Sequence, residues 1–320
     1  MSFAFVFAGQ GSQSVGMLAA LAAAERAERA VRATFDEASA VLGYDLWQLV
    51  SAGPEEALNA TERTQPAMLA AGVAVWRVWR GRGGALPAVV SGHSLGEFTA
   101  LVCADALDYP AAIELVRFRG QVMQEAVPAG SGAMAAILGL DDEALLAVCR
   151  EAAGGAVVEA VNFNCPGQVV IAGDAAAVQR AIEAAKSRGA KRAVTLPVSV
   201  PSHSSLMRAA GERLRAKLET LDLRAPAIPY VSAVDAQAHA KPADILAVLV
   251  RQISSPVRWT ETLRALIATG VAQVIECGPG KVLTGLNRRI ERRPDPSFLA
   301  LEDPASIDTA LSATGAAAHA

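Results

Sequence analysis

The stretch VVSGHSLGEFTA, residues 89–100, restricts the fold of this chain more than any other segment. A short run of strand-forming residues ends in Gly-His-Ser-Leu-Gly, and a helix-forming sequence follows at once. Strand, tight turn and helix in this order are the context of the G-x-S-x-G elbow, in which small residues let the backbone turn sharply around a serine. The segment therefore predicts an α/β fold in which Ser94 is lifted clear of a sheet.

The remainder of the chain supports a parallel α/β sheet. Residues 2–9 and 272–280 are short apolar runs closed by glycine, which is typical of buried strands. Residues 64–84 and 204–221 have helical patterns, and strands that alternate with helices favour a parallel sheet. From Asp303 onward the alanine-rich tail shows no clear pattern.

The order of the predicted strands and helices changes between residues 127 and 198. Strand-like and helix-like segments follow one another there in the order β-α-β-β-α-β, which is the order of a ferredoxin-like unit. We therefore expect a small ferredoxin-like insert at 127–198 within a core made of residues 1–126 and 199–320.

Composition excludes several classes of protein. The net charge of −3 gives no overall case for binding nucleic acid or an anionic membrane. The four cysteines lie far apart without a CxxC pair, so neither a metal site nor a disulfide framework is expected.

Residues 1–24 lack a basic segment and are interrupted by GQGSQS, which is unlike a secretory signal. No apolar run has the length of a membrane span, and we expect a cytoplasmic protein.

Ser94 is either a nucleophile or a hydroxyl in a structural turn or phosphate-binding loop. The elbow aims backbone N–H groups and the positive end of a helix at one point, which favours the nucleophile. A serine nucleophile needs a base, and the chain has four histidines. His319 lies in the tail, His239 lies in a polar loop, and the elbow is expected to turn His93 away. His203, just before a predicted helix, is the best candidate, although a structural histidine is the alternative.

Eight segments of the chain resemble, in the same order, those of bacterial malonyl-CoA:acyl carrier protein transacylases of type II fatty-acid synthesis. They lie between about residues 2 and 290 and are FVFAGQGSQ, TQPAM, GHSLGE, RGQVMQEAVP, VNFNCPGQVVIAG, PVSVPSHS, QISSPVRW and GPGKVLTGL. The resemblance implies an α/β-hydrolase-like core with a mainly parallel sheet and, beside the serine, the ferredoxin-like insert.

The resemblance also implies a two-step acyl transfer. Ser94 takes the malonyl group from malonyl-CoA and passes it to the phosphopantetheine thiol of acyl carrier protein, with His203 as general base and acid. The backbone N–H groups of Gln10 and Leu95 would form the oxyanion hole, and the backbone carbonyl of Gln252 would orient the histidine. No permanently bound cofactor and no metal are implied, and coenzyme A is a product.

The malonyl group carries a carboxylate, and burying that carboxylate without a partner would cost several kcal/mol. A guanidinium can pair with it in a bidentate fork. The resemblance selects Arg119 for this role, whereas its sequence alone does not distinguish it from Arg117. It also implies that Gln65 lines the pocket and that Asn162 approaches the catalytic centre, although a helix-start glutamine and a turn asparagine are the alternatives. Because the resemblance implies a backbone carbonyl as the partner of the histidine, no aspartate is expected as a third member beside the serine and histidine, although Asp235 is a conceivable one.

Acyl carrier proteins are acidic, so a basic rim is expected where the carrier docks. Two clusters are candidates, with solvated surface charge as the alternative reading of both. The first cluster comprises Lys186, Arg188, Lys191 and Arg192, and the second comprises Arg288, Arg289, Arg292 and Arg293.

Other functions remain open from the sequence. The malonyltransferase subunit of a malonate decarboxylase and a malonyl-CoA thioester hydrolase would use the same residues. A non-catalytic carrier-binding module is a third class. In related polyketide acyltransferases, the residues just before the catalytic histidine correlate with the choice of extender unit. Here they are Val200, Pro201 and Ser202, which resemble the fatty-acid enzymes rather than malonyl-type polyketide acyltransferases. The preference for malonyl over methylmalonyl is therefore what the resemblance implies.

Overall fold

The computed structural model describes residues 1–24, 28–198 and 200–315. Strands and helices alternate through most of this part of the chain. The strands are β1 (Phe3–Phe7), β2 (Val89–Gly92), β3 (Gly132–Leu138), β4 (Val158–Cys165), β5 (Gln168–Asp174), β6 (Arg192–Thr195), β7 (Tyr230–Val231), β8 (Ala238–His239), β9 (Gln273–Glu276) and β10 (Ser297–Ala300).

Fourteen α-helices and one short 3-10 turn, at Ser205–Met207, complete the secondary structure of the described residues. The helices are α1 (Ala19–Ala22), α2 (Glu28–Leu42), α3 (Leu46–Ala52), α4 (Glu55–Leu58), α5 (Thr61–Gly81), α6 (Gly96–Cys103), α7 (Tyr109–Glu125), α8 (Asp142–Ala153), α9 (Ala175–Ser187), α10 (Arg208–Leu218), α11 (Pro242–Gln252), α12 (Trp259–Ala268), α13 (Val282–Ile290) and α14 (Pro304–Thr314).

The larger sheet has the strand order β10-β9-β1-β2-β7-β8. Every pairing in it is parallel except that of β7 with β8, so the prediction of a mainly parallel sheet is confirmed. All five residues of β1 are buried, because an apolar run without alternation suits a central strand covered on both faces. Because β1 and β2 are parallel neighbours, the loop after β1 and the elbow after β2 leave the sheet at the same edge.

The smaller sheet has the order β4-β5-β3-β6, and its pairings are antiparallel. This is the strand order of a ferredoxin-like unit, as the sequence predicted. Ile137, Ile171, Leu145 and Ile182 belong to a separate apolar cluster between this sheet and helices α8 and α9.

The structure corrects two parts of the secondary-structure prediction. Helix α5 begins at Thr61 rather than residue 64, and Pro66 lies inside it. The tail after Asp303, which showed no pattern, forms α14 with a capping box between Asp303 and Ser306. The preceding β10 is only four residues long, and its pairing with β9 is a long-range contact that a local pattern does not reveal.

Within the described residues, no helix combines the length and the hydropathy needed to cross a bilayer. In the same residues, no group of three or more histidine, cysteine or acidic side chains is arranged to hold a metal ion. His319 lies outside the described residues.

The elbow after β2 is possible only because two of its positions are glycines. A Cβ on Gly92 would lie 1.9 Å from the carbonyl carbon of Gly96, and a Cβ on Gly96 would lie 2.0 Å from the backbone oxygen of Phe7. These are backbone atoms, so no side-chain rotation can relieve the clash. Helix α6 therefore starts in direct contact with the end of β1, and this contact sets the height of Ser94 above the sheet.

Substitution of Gly96 by alanine should reduce the free energy of unfolding by about 3 kcal/mol or more, because the backbone must move to admit the methyl group. Gly285, in the exposed part of α13, has open space around its Cβ position, so Gly285→Ala should be neutral or stabilising by up to about 1 kcal/mol. Urea denaturation of both variants measures the difference. Equal stabilities for the two variants would contradict the packing argument.

Candidate active site

Ser94 and His203 are in hydrogen-bonding contact. The Ser94 hydroxyl oxygen lies 2.8 Å from His203 Nε2, and His203 Nδ1 lies 2.8 Å from the backbone oxygen of Gln252. A carbonyl oxygen can only accept, so Nδ1 carries the ring hydrogen and Nε2 presents its lone pair to the Ser94 hydroxyl. The pair is therefore set up for the histidine to receive the serine proton.

His203 is held neutral by its surroundings. Burial, followed by the positive charge of Arg119, lowers the pKa of His203 to about 3. The imidazole is thus unprotonated at neutral pH, which is the form that a general base requires.

Both members of the pair have unusual backbone conformations. The φ angles of Ser94 and His203 are 54° and 66°, in the left-handed region that residues with side chains rarely adopt. Such conformations persist only where the surrounding structure enforces them, and they concentrate at functional sites. For Ser94 the enforcement comes from the glycine contacts of the elbow.

Gln10 and Leu95, whose backbone N–H groups are the predicted oxyanion hole, both lie in the neighbourhood of Ser94. Gln10 lines the same cavity as Ser94, and the elbow holds this loop close because His93 N donates to Phe7 O over 2.9 Å. Leu95 directly precedes α6. Among the described residues, no acceptor is found for the backbone N–H of either Gln10 or Leu95. The backbone N–H groups of Gln10 and Leu95 are therefore open to an acceptor, as the predicted oxyanion hole requires.

Arg119 extends from α7 to the nucleophile and is 1% exposed. Its Nη1 donates to Gln65 Oε1 over 2.8 Å, and its Nη2 donates to Gln252 Oε1 over 3.0 Å and to the Ser94 hydroxyl over 3.2 Å. Burial lowers its pKa to about 10, and the Glu97 carboxylate opposes that shift. Arg119 is therefore a buried cation at neutral pH, and no carboxylate of the described residues contacts it directly.

Gln65 lies on α5 and is fully buried. Its amide nitrogen faces Met123 Sδ at 3.6 Å, so its oxygen is directed at Arg119. Gln65, which the resemblance placed in the pocket, is not among the residues that line the cavity around Ser94; its contact is with the Arg119 guanidinium.

A cavity of about 450 Å³ opens above Ser94 between the two sheets. Its wall is formed by the loop after β1, the start of α5 and the residue after α4, the elbow, α7, strands β3 and β4, and the segment that leads to His203. They are Gln10, Gly11, Gln13, Asn59, Thr61, His93, Ser94, Met123, Met134, Asn162, Leu196, Pro197, Val198, Val200, Ser202 and His203.

Strand β4 brings two asparagines to this region. Asn162 lines the cavity, and its side-chain oxygen is buried without a hydrogen-bond partner in the described residues. Asn164, which the sequence did not single out, has its oxygen 2.9 Å from His93 Nε2. His93 also lines the cavity, so the expectation that its side chain turns away holds only with respect to the Ser94 hydroxyl.

Asp235 is not part of the catalytic group. Its carboxylate contacts His239 and Arg251, whereas His203 Nδ1 faces the backbone oxygen of Gln252. Glu97, which the sequence analysis also missed, lies beneath the site and accepts from Gln252 Nε2 over 2.8 Å. It sits in the first turn after the elbow, but only the tertiary structure reveals what it contacts.

The predicted basic residues are all exposed, but they differ in their partners. Lys186, Arg188 and Arg293 are paired with acidic side chains. Among the described residues, no acidic side chain lies within ion-pair distance of the others, which are Lys191, Arg192, Arg288, Arg289 and Arg292.

Comparison with known proteins shows close relatives along nearly the whole chain. Residues 4–293 match the acyl transferase domain family. The malonyl CoA-acyl carrier protein transacylase of Escherichia coli (strain K12) is 53% identical over 309 residues, which are 97% of this chain and 98% of that protein.

Two solved structures are similar in fold as well as in sequence. The acyl carrier protein S-malonyltransferase of Vibrio cholerae is 56% identical with a TM-score of 0.93, over 97% of this chain and 100% of that one. A malonyl-transacylase in complex with its type II PKS acyl-carrier protein is 53% identical with a TM-score of 0.95, over 98% of this chain and 100% of that one.

The low pKa of His203 predicts a dependence of stability on pH. An unfolded histidine titrates near 6.5, so between that value and about 3 the unfolded chain binds a proton that the folded chain does not. Stability therefore falls as the pH falls, by at most about 1.4 kcal/mol per pH unit from this residue. Urea denaturation between pH 7 and pH 5 should show a steeper loss for the wild type than for His203→Gln. Parallel curves would contradict a neutral, buried His203.

Proposed function

The chain belongs to the malonyl CoA-acyl carrier protein transacylases, and from this premise we propose that it transfers malonyl from malonyl-CoA to the phosphopantetheine thiol of an acyl carrier protein. The observation that carries the proposal is the buried Arg119 guanidinium 3.2 Å from the Ser94 hydroxyl. It puts a cation within reach of the carboxylate of a malonyl group bonded to that serine.

In the first half-reaction, Ser94 attacks the thioester carbonyl of malonyl-CoA. His203 Nε2 takes the hydroxyl proton, a tetrahedral oxyanion forms, and the C–S bond breaks as the imidazolium returns the proton to the thiolate of coenzyme A. The products are a malonyl ester on Ser94 and free coenzyme A.

In the second half-reaction, the carrier thiol attacks the Ser94 ester. His203 takes the thiol proton, and after the second tetrahedral intermediate it returns the proton to the Ser94 oxygen as the ester bond breaks. In both halves the N–H groups of Gln10 and Leu95 stabilise the oxyanion, while the Gln252 carbonyl holds the histidine in the required tautomer. Gln65 keeps Arg119 in place, and Asn162 contacts the pantetheine arm or the acyl group from the cavity wall.

The rival enzyme functions share this chemistry and differ in the acceptor. A thioester hydrolase would transfer malonyl from Ser94 to water, and the malonyltransferase subunit of a malonate decarboxylase would serve another carrier. The full-length likeness to proteins named as carrier-protein transacylases favours the proposed acceptor. A cytoplasmic location and a division into a core of residues 1–126 and 199–320 and an insert of residues 127–198 belong to the same proposal.

Labelled malonyl-CoA should attach to the wild-type protein and then move to acyl carrier protein when the carrier is added. Ser94→Ala should take no label, because the hydroxyl is the only proposed acyl acceptor. Arg119→Ala should lose the preference for malonyl-CoA over acetyl-CoA, since only malonyl presents a carboxylate. The measurement is protein-bound label after acid quench. Label on Ser94→Ala would refute the mechanism, and free malonate without labelled carrier would indicate a hydrolase.

We further propose that the acidic carrier docks along a basic edge defined by Lys191, Arg192, Arg288 and Arg289. Arg192 pairs with Leu138 in β3, and Leu138 pairs with Gln168 in β5, so Arg192 and Gln168 are about 10 Å apart. Gln168 Oε1 accepts from Arg289 Nη1, which joins the two sequence clusters into one edge. Strand β6 continues from this edge into Leu196, Pro197 and Val198 of the cavity wall. Lys186 and Arg188 remain weaker candidates because acidic partners offset their charge.

Reversal of charge at Arg192 and Arg289 should lower kcat/KM for the carrier by about tenfold or more at low salt, because rim charges mainly set the association rate. The rate of Ser94 malonylation by malonyl-CoA should be unchanged. Arg215→Glu, an exposed charge reversal on α10, is the matched control and should affect neither half-reaction. Loss of malonylation itself, or an equal effect of Arg215→Glu, would contradict this docking edge.

A further inference from the structure

A buried carboxylate that the reaction does not use lies directly beneath the nucleophile. Glu97 is fully buried in the first turn of α6. The Tyr230 hydroxyl and the Gln252 amide donate to its two oxygens. Burial raises the pKa of this carboxyl, and these hydrogen bonds oppose the shift. Two side chains from distant segments, Tyr230 and Gln252, hold this carboxyl in one position, which indicates a role for Glu97 beyond filling space.

The Gln252 side chain connects Glu97 to the Arg119 guanidinium. Gln252 Nε2 donates to Glu97 Oε1 over 2.8 Å and to the backbone oxygen of Ser94 over 2.9 Å. With both of its N–H bonds used, the amide must turn its oxygen to the other side, where it accepts from Arg119 Nη2 over 3.0 Å. The two acceptors of its nitrogen, on Glu97 and Ser94, thus fix the orientation of the Gln252 amide.

The arrangement keeps a carboxylate near Arg119 without letting it occupy the guanidinium. The direct partners of Arg119 are the neutral oxygens of Gln65, Gln252 and Ser94. A direct ion pair with Glu97 would use the fork that a substrate carboxylate needs. Because the Gln252 amide lies between the two side chains, Glu97 stabilises the Arg119 cation indirectly.

We propose that Glu97 is a positioning residue for malonyl selectivity, which acts through the Gln252 amide to hold the Arg119 guanidinium beside Ser94 with only neutral acceptors in contact with it. This inference rests on the proposed function, because it assigns Glu97 to the arginine that binds the malonyl carboxylate. It concerns the Gln252 side chain, which is separate from the role of the Gln252 backbone carbonyl on His203.

Glu97→Gln is the informative substitution. A carboxylate offers about four acceptor positions, whereas an amide offers only one oxygen and adds two donors. Glutamine at this position carries no negative charge, so its hydrogen bond to Gln252 is weaker and the stabilisation of the Arg119 cation through that amide is lost. The ratio of kcat/KM for Ser94 acylation by malonyl-CoA to that by acetyl-CoA should fall by about tenfold, mainly through KM for malonyl-CoA. Acetyl-CoA has no carboxylate for Arg119 to bind, so its kcat/KM for Ser94 acylation should fall much less than that of malonyl-CoA.

The matched control is Glu276→Gln. Glu276 is also a buried carboxylate, at the end of β9, where it accepts from the backbone N–H groups of Leu283 and Thr284 at the start of α13. The same substitution there should change both substrates alike or neither. If Glu97→Gln does not fold, as judged by circular dichroism, Tyr230→Phe removes one donor to Glu97 and should lower the same ratio by about threefold.

A double-mutant cycle separates this inference from the proposed function. If Glu97 acts through Arg119, Glu97→Gln should change the malonyl-to-acetyl ratio by no more than about twofold in an Arg119→Ala background. An undiminished effect in that background, a parallel loss with both substrates, or a wild-type ratio in Glu97→Gln would each overturn the role of Glu97. If Arg119→Ala keeps the malonyl preference, or Ser94 takes no label from malonyl-CoA, the proposed function itself fails.

Discussion

The buried guanidinium of Arg119 is the constraint on which the arrangement of this site depends. An unpaired buried cation is costly, so its N–H groups must find acceptors wherever the fold brings them. Here the acceptors come from α5, from the end of α11 and from the elbow itself. One side chain therefore ties three helices to the nucleophile, and the packing of α5 against α7 becomes a condition for the chemistry.

Ser94 and His203, the proposed nucleophile and base, are held in strained conformations by contacts with other parts of the chain. Close backbone contact at the two elbow glycines forces Ser94 into the left-handed region, and His203 adopts the same region just before the 3-10 turn. Glu159 of β4 stabilises that turn, since its carboxylate accepts from the backbone N–H and the hydroxyl of Ser205. Contacts in the core and in the smaller sheet therefore both hold Ser94 and His203 in position.

Strand β4 links the smaller sheet to the core at several points around the cavity. Val257, just beyond α11, exchanges backbone hydrogen bonds with Val161 and Phe163 of this strand. Asn164 of the same strand contacts His93 of the elbow. Because one strand makes all these contacts, a shift of the smaller sheet would disturb both the cavity wall and the elbow. The interface between the sheets is in this sense part of the site.

Features that depend on local patterns could be predicted from the amino-acid sequence. The apolar run, glycines and helix signal around Ser94 predicted the elbow, and the β-α-β-β-α-β order predicted the smaller sheet with its strand order. The motifs also singled out His203 and Arg119, although the residues alone did not separate Arg119 from Arg117. Contacts between distant segments became known only from the folded chain. They are the contacts of Glu97 and Asn164, the separation of Asp235 from His203, the pairing of β10, and the acidic partners of some surface cations. These contacts depend on side-chain positions that packing sets, and a local sequence pattern does not indicate which distant side chain a buried polar group will contact.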